Sequence, residues 1–151
     1  MLVWRICSRK HRRFDGEGAH RYGGRWNHTG TSVVYTSGSL SLAVLELFVH
    51  VDINTIPGDL VAIQVDIPDT LTIETVKIES LPRDWRRYPG PEGLKDIGTA
   101  WASKVSTAIL AVPSAVIPEE RNYLLNPAHR HFKRIRIRKP VAFRFDARMW
   151  K

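Results

Sequence analysis

The sequence predicts an α+β fold, with a mixed, mainly antiparallel β core and a few flanking helices. Three observations lead there. Short stretches that are β-branched or that alternate apolar with polar residues outnumber helical ones; only two stretches carry helical periodicity, Leu40–His50 and Glu92–Lys104; and these two do not interleave regularly with the strands, as a doubly wound parallel sheet requires. No repeat, low-complexity tract or long linker interrupts the chain, so residues 1–151 are expected to form one domain.

Taken in order, Leu2–Ile6 is an apolar run and a first strand. Phe14–Gly24 is rich in glycine and polar residues and is expected to be a loop. Ser32–Thr36 is β-branched and aromatic, hence a second strand, and Ser37-Gly38-Ser39 then breaks the chain and can cap the helix Leu40–His50. Leu60–Ile67 and Leu71–Ile78 alternate around Pro68-Asp69-Thr70 and suggest a hairpin. Leu81–Pro91 is a loop carrying Arg83, Trp85, Arg86 and Arg87; Glu92–Lys104 is a helix, and Thr107–Val112 a buried strand stopped by Pro113. Pro118–His131 looks irregular, with one helical turn at most. Arg134–Arg138 and Ala142–Phe145 complete the chain as two amphipathic strands around Pro140, with Ile135 and Ile137 facing the core.

Composition narrows the function classes. The chain is 43% hydrophobic and 25% charged, as globular proteins are. Arg5 interrupts the first apolar run before a signal-peptide core can form, and the longest uncharged stretch, Trp26–Leu45, is too rich in Gly, Ser, Thr and Asn to span a bilayer. The reading is a soluble, cytoplasmic protein without membrane contact. Cys7 is the only cysteine, which excludes an internal disulfide; it reads as a buried small hydrophobe. A formal charge of +8 favours polyanionic partners without choosing among nucleic acid, dinucleotide and acidic protein.

Three groups of residues can carry chemistry. The helix Leu40–His50 is apolar nearly all round, the mark of a buried helix, yet Glu46 sits in its middle. A carboxylate there must meet a partner or line a cleft, because burying it alone costs several kcal/mol (about the penalty for an unpaired ion). A structural ion pair with an arginine and a catalytic role both answer that requirement. Gly23-Gly24-Arg25-Trp26-Asn27 places a guanidinium after a glycine turn whose backbone N–H groups can approach an anion closely, although it is neither a Rossmann nor a P-loop fingerprint and an ordinary turn would read the same. Ser114, in Val112-Pro113-Ser114-Ala115, can bond a ligand or cap a turn; no Gly-x-Ser-x-Gly surrounds it. The histidines show no metal-ligand spacing, and His129 and His131 are expected to face solvent. A rival class, a basic nucleic-acid binder or toxin ribonuclease, draws on Trp85-Arg86-Arg87-Tyr88 and on Arg134-Ile-Arg136-Ile-Arg138-Lys139, whose arginines also read as a solvated or partner-binding face.

Together these pieces resemble a known family. Gly-Gly-Arg25-Trp-Asn, a strand ending at Tyr35, Leu-Ala43-Val-Leu-Glu46, Val-Pro-Ser114 and Asn122-Tyr-Leu-Leu-Asn126-Pro-Ala-His129 follow one another as in the RES domain, from Trp4-Arg5 to the final strands. The resemblance implies an ADP-ribosyltransferase-like fold. It also implies the toxin of a type II toxin–antitoxin system, restrained by an Xre-type helix-turn-helix antitoxin in a hetero-oligomer that reaches DNA through the antitoxin. The implied activity is NAD degradation by cleavage of the nicotinamide–ribose bond, by hydrolysis or phosphorolysis, with ADP-ribosylation of a protein as the alternative. NAD would then be the substrate, with no cofactor and no metal. The family's arginine, tyrosine, glutamate and serine fall on Arg25, Tyr35, Glu46 and Ser114, with Glu46, Arg25 and Tyr35 catalytic. Substrate contacts would extend to Gly24, Trp26, Asn27, Ser114 and Asn122, while Arg5 and His50 carry no assigned role.

Overall fold

Pairing runs across the chain rather than between neighbours in sequence. The computed structural model describes residues 1–151 and contains eight strands and three α-helices: β1 (Leu2–Ser8), α1 (Glu17–Tyr22), β2 (Val34–Ser37), α2 (Leu40–Phe48), β3 (Leu60–Asp66), β4 (Ile73–Thr75), α3 (Glu92–Lys104), β5 (Ile109–Pro113), β6 (Arg121–Leu125), β7 (Arg136–Ile137) and β8 (Val141–Ala142). One sheet runs β4-β5-β6-β2-β1-β3-β7, with β8 also on β3. Every pairing is antiparallel except β4 with β5. The expected mixed, mainly antiparallel α+β architecture is what the chain adopts.

The alternation of the central strands sorts the core into two clusters. Ile109 and Leu125 join Val3, Val61, Ile63 and Val65, whereas their neighbours Leu110 and Leu124 join Trp26, Trp85, Leu94 and Trp101. Successive side chains of a strand leave opposite faces, so these clusters lie on the two sides of the sheet. α3 brings Leu94, Trp101 and Ala102 to the second cluster. α2 is capped as expected, the Ser39 side chain accepting from Leu42 N, and it packs on β1 and β2.

Several expectations fail for identifiable reasons. Pro68-Asp69-Thr70 makes no hairpin: β3 pairs with β1, and β4 crosses to the far edge to pair parallel with β5. Pro118–His131 is not irregular throughout; β6, between β5 and β2, is a central strand whose polar start hides it. The glycine-rich loop contains α1, with Gly16 at φ +73° turning into it and an Arg21–Glu17 ion pair at 3.0 Å one turn apart. α2 is only half-buried: Leu42 and Ala43 are inside, while Phe48 packs on Phe145 and Trp150, ring centroids 6.0 and 4.9 Å away. Of Ile135 and Ile137, only Ile135 is buried, because β7 is a short edge strand. His129 is buried rather than solvated, its Nδ1 accepting from His131 N at 3.0 Å, and Trp85 is a core residue. Cys7 is half-buried.

Candidate active site

α2 runs from β2 back across β1 and β2, and it carries Glu46 to the ends of two strands that arrive much later in the chain. Ser114, just past β5 and fully buried, donates its hydroxyl to Glu46 Oε1 at 2.6 Å; Asn122, in β6, donates Nδ2 to the same oxygen at 2.6 Å. Both donors are themselves held. Ser114 Oγ accepts from the amides of Val116 and Ile117, at 3.1 and 2.9 Å, so its one proton is directed at the carboxylate. Asn122 Oδ1 accepts from Ser37 Oγ at 2.8 Å, which fixes the amide with its NH₂ toward Glu46. Both bonds fall on Oε1. Oε2 has no protein partner, and Glu46 lines a cleft, so the carboxylate is anchored by one oxygen and offers the other. Of the two roles open to Glu46, the ion pair with an arginine is not made.

The cleft holds about 1100 Å³, above the roughly 300–1,000 Å³ of ordinary small-molecule pockets. Four basic side chains, Arg5, Arg25, Arg86 and Lys95, line it with Glu46 as the sole acid. Arg25 is clamped from one side: its Nη1 donates to the carbonyls of Trp85 and Arg87, at 2.9 and 3.0 Å, leaving Nε and Nη2 without protein partners. Burial pushes the Arg25 guanidinium below its ordinary value, opposed by Glu46, Tyr35 and Tyr88, and it remains a cation at neutral pH. Arg86 donates to the carbonyl of Ala115 at 2.9 Å. Arg5 donates to the carbonyls of Arg13 and His11, at 2.9 and 3.1 Å, and its guanidinium lies 5.2 Å from the Phe14 ring centre.

The turn before Arg25 works differently from the sequence reading. The amides of Gly23 and Gly24 are taken by the carbonyls of Ala19 and Asn27, so they form no anion cradle. Gly24 lacks a side chain because the Tyr35 hydroxyl lies against it; a Cβ there would meet that oxygen at 2.7 Å. Tyr35 Oη accepts from Trp26 N at 3.0 Å and donates to Asn27 Oδ1 at 2.7 Å, and burial drives its ionisation far above the ordinary range. With the hydroxyl so engaged, what Tyr35 offers the cleft is its ring. Asn27 is fully buried, its Nδ2 donating to the carbonyls of Ala19, His28 and Thr31, and Trp26 is 2% exposed. These two residues hold the turn; Asn27 stays clear of the cleft, while Trp26 borders it. α3 fastens the same turn: Thr99 Oγ1 accepts from His28 N at 3.0 Å, and a Cβ on Gly98 would lie 1.8 Å from the Trp26 carbonyl oxygen.

Arg25, Tyr35, Glu46 and Asn122 thus line one cleft, with Ser114 buried behind Glu46, and they are joined by residues the sequence left without a role there. Tyr88 and His50 stand at its mouth, ring centroids 5.9 Å apart, and Cys7 lines its wall. The loop 85–90 was legible only as a basic aromatic stretch; its part in holding Arg25 runs through the backbone carbonyls of Trp85 and Arg87, which carry no sequence signature. No helix is long and apolar enough to cross a membrane.

The chain is similar to known proteins over nearly its whole length. The RES domain family model matches residues 2–146. "Toxin Res" of Yersinia enterocolitica is 38% identical over 152 residues, covering 99% of each chain. The "Prs ADP-ribosylating toxin" of a Sphingobium species is 37% identical over 152 residues, covering 97% of this chain and 94% of that one. Among solved structures, a chain of the Mycobacterium tuberculosis MbcT-MbcA toxin-antitoxin complex has the same fold, with a TM-score of 0.75 at 17% identity over 94% of this chain and 83% of its own.

Proposed function

The chain belongs to the RES-domain family of toxins, and on that premise we propose that it acts by cleaving the nicotinamide–ribose bond of NAD. One observation carries the reading: the Glu46 carboxylate, anchored through Oε1 by Ser114 and Asn122, presents its second oxygen to a cleft whose other charged side chains, Arg5, Arg25, Arg86 and Lys95, are all cations. That pairing suits a substrate with an anionic diphosphate and a reaction that builds positive charge at one carbon. Nicotinamide leaves NAD as a neutral base, taking the electrons of the bond between its nitrogen and ribose C1′, so no general acid is needed. The ribose becomes oxocarbenium-like, as in glycoside hydrolysis, and Glu46 stabilises that cation and orients the attacking oxygen. Arg25 grips the diphosphate with the nitrogens that the Trp85 and Arg87 carbonyls leave free. The Tyr35 ring packs on the nicotinamide riboside while its hydroxyl keeps the Arg25 turn in place.

Water or inorganic phosphate serves as acceptor, giving ADP-ribose or its 1-phosphate. A protein acceptor is the second reading, favoured by the name of the Sphingobium relative. Incubating the purified protein with NAD, with and without phosphate, and identifying the products tests all three; NAD left intact refutes the proposal. Residues 1–151 act as a single RES domain in the cytoplasm, with NAD as substrate and no separate cofactor. A dedicated antitoxin chain of Xre type silences the enzyme in a hetero-oligomer, and co-purification with the product of the neighbouring reading frame tests that.

A further inference from the structure

The basic charge of this chain is not spread over its surface. Residues 1–129 contain fourteen Lys and Arg against fourteen Asp and Glu, whereas residues 130–151 contain nine Lys and Arg against one Asp, Asp146. The whole formal charge of +8 therefore belongs to the last stretch of chain, and none of its residues lines the cleft.

The fold lays this stretch along one border of the sheet. β7 and then β8 pair with the outer side of β3, and the sheet ends there. Ion pairs engage only Arg138, with Asp66, and Arg148, with Asp146. Arg134 donates to Thr70 Oγ1 at 2.6 Å. Arg130, Lys133, Arg136, Lys139 and Arg144 are exposed and have neither a carboxylate nor a side-chain hydrogen bond to hold them. The crowding of cations registers on His131, which desolvation and then Arg130, His129, Arg134 and Lys133 push below its ordinary value.

The chemistry of the border separates an acidic protein from a nucleic acid. Protein interfaces centre on buried apolar anchors, above all aromatic ones. Here the exposed large apolar side chains are Ile137 and Val141, two isolated β-branched residues, and the half-buried Phe143, Phe145 and Trp150 rings are engaged with one another and with Phe48. Interfaces with duplex nucleic acid are polar and strongly positive, and arginine forks match phosphate oxygens.

We propose that the border formed by residues 130–144 binds the phosphate backbone of duplex nucleic acid, independently of the catalytic cleft and without reading base sequence. The test is fluorescence anisotropy of a labelled duplex of about 20 base pairs of arbitrary sequence, titrated with the purified chain between roughly 50 and 200 mM salt. Affinity should fall in the non-specific range, about 10⁻⁶–10⁻⁴ M, with a steep inverse dependence on salt. Replacing Lys133, Arg136, Lys139 and Arg144 together by glutamine should flatten the log–log salt slope by about 3 to 4 and leave NAD turnover and the melting temperature unchanged. A matched set on the neutral body, Lys10, Lys77, Arg83 and Lys104 to glutamine, should leave the slope as it was. If the first set destabilises the fold, Arg136→Gln and Lys139→Gln singly should each lower the slope by about one.

No anisotropy change at about 100 μM protein and 50 mM salt, where non-specific binders are saturated, would overturn the proposal, as would equal losses from the two sets. Displacement of the duplex by NAD would place it in the cleft and refute the separate surface. Displacement by polyglutamate at lower charge concentration than unlabelled DNA would assign the border to an acidic polypeptide instead.

Discussion

Replacing Ser114 by alanine should uncouple the carboxylate of Glu46 from the sheet, and the size of the effect follows from what the hydroxyl touches. It donates at 2.6 Å to a carboxylate oxygen, a bond to a charged group worth about 1.5–3 kcal/mol. It also accepts from the amides of Val116 and Ile117, which are only half-buried, so water recovers part of that loss. The sum is about 2–4 kcal/mol, or a fall in Tm of about 5–15 °C for a chain of this length. In a Glu46→Ala background the charge-assisted bond is already gone, and the same serine substitution should be milder by about 1.5–3 kcal/mol. Equilibrium unfolding in denaturant of the parent, both single variants and the double variant measures that coupling without reference to catalysis. Equal losses in the two backgrounds would refute the argument that Ser114 acts through Glu46. Turnover supplies a second reading: Ser114→Ala and Asn122→Ala should each slow NAD cleavage about 10- to 100-fold, and together by less than the product of the two, since both position one carboxylate.

Glu46→Gln preserves shape and removes the charge, so it should leave the chain folded and lower turnover by a factor of about 10² or more; near-normal turnover in a folded variant rules out the proposed role. Arg25→Lys keeps the charge but cannot donate to both loop carbonyls and still present a fork, so apparent affinity for NAD should weaken severalfold or more, measured as KM. Gly98→Ala forces a Cβ onto the Trp26 carbonyl, and a circular-dichroism melt should show losses at or beyond the usual 1–3 kcal/mol (approximately) of overpacking. Asp66, held below its ordinary 3.8 by Arg138 and Gln64, contributes stability that is present above the unfolded value and lost as pH falls through the lower folded one. Acid titration of Arg138→Gln should accordingly show a smaller drop below about pH 4 than the parent shows. Burial pushes the Cys7 thiol up, so its alkylation should be slow at neutral pH, rise with pH, and be blocked by a bound dinucleotide, as mass spectrometry would report.

What the sequence disclosed and what it withheld divide along a physical line. Glu46 stood out because a charge on an apolar helix violates a local rule, and Glu92–Lys104 matched α3 because periodicity and length agree over 13 residues. β6 was missed because its opening residues, Arg121 and Asn122, serve the cleft and the surface rather than the core, so the strand lacks an apolar alternation. The false hairpin at Pro68-Asp69-Thr70 arose because turn signals are local, while the partner of β4 is set by the burial of Ile109, Leu110 and Leu125 far downstream. The turn Gly23–Asn27 was recognised as special, but for the wrong reason. Its glycine is dictated by the approach of Tyr35, its amides are taken by backbone carbonyls, and what it presents to the cleft is the Arg25 guanidinium.

The position of β6 between β5 and β2 bears on how such a protein can be made at all. Glu46 is translated 68 residues before Ser114 and 76 before Asn122. At about 5–20 residues per second, the ribosome needs roughly 4–15 seconds to close that interval. Until β6 arrives, the two halves of the sheet have no common strand and the carboxylate has no fixed direction. A growing chain therefore carries every residue of α2 without a working site, and potency comes into being only as synthesis nears its last strands. Truncated products, from stalled translation or an early stop, should be harmless to the cell that makes them.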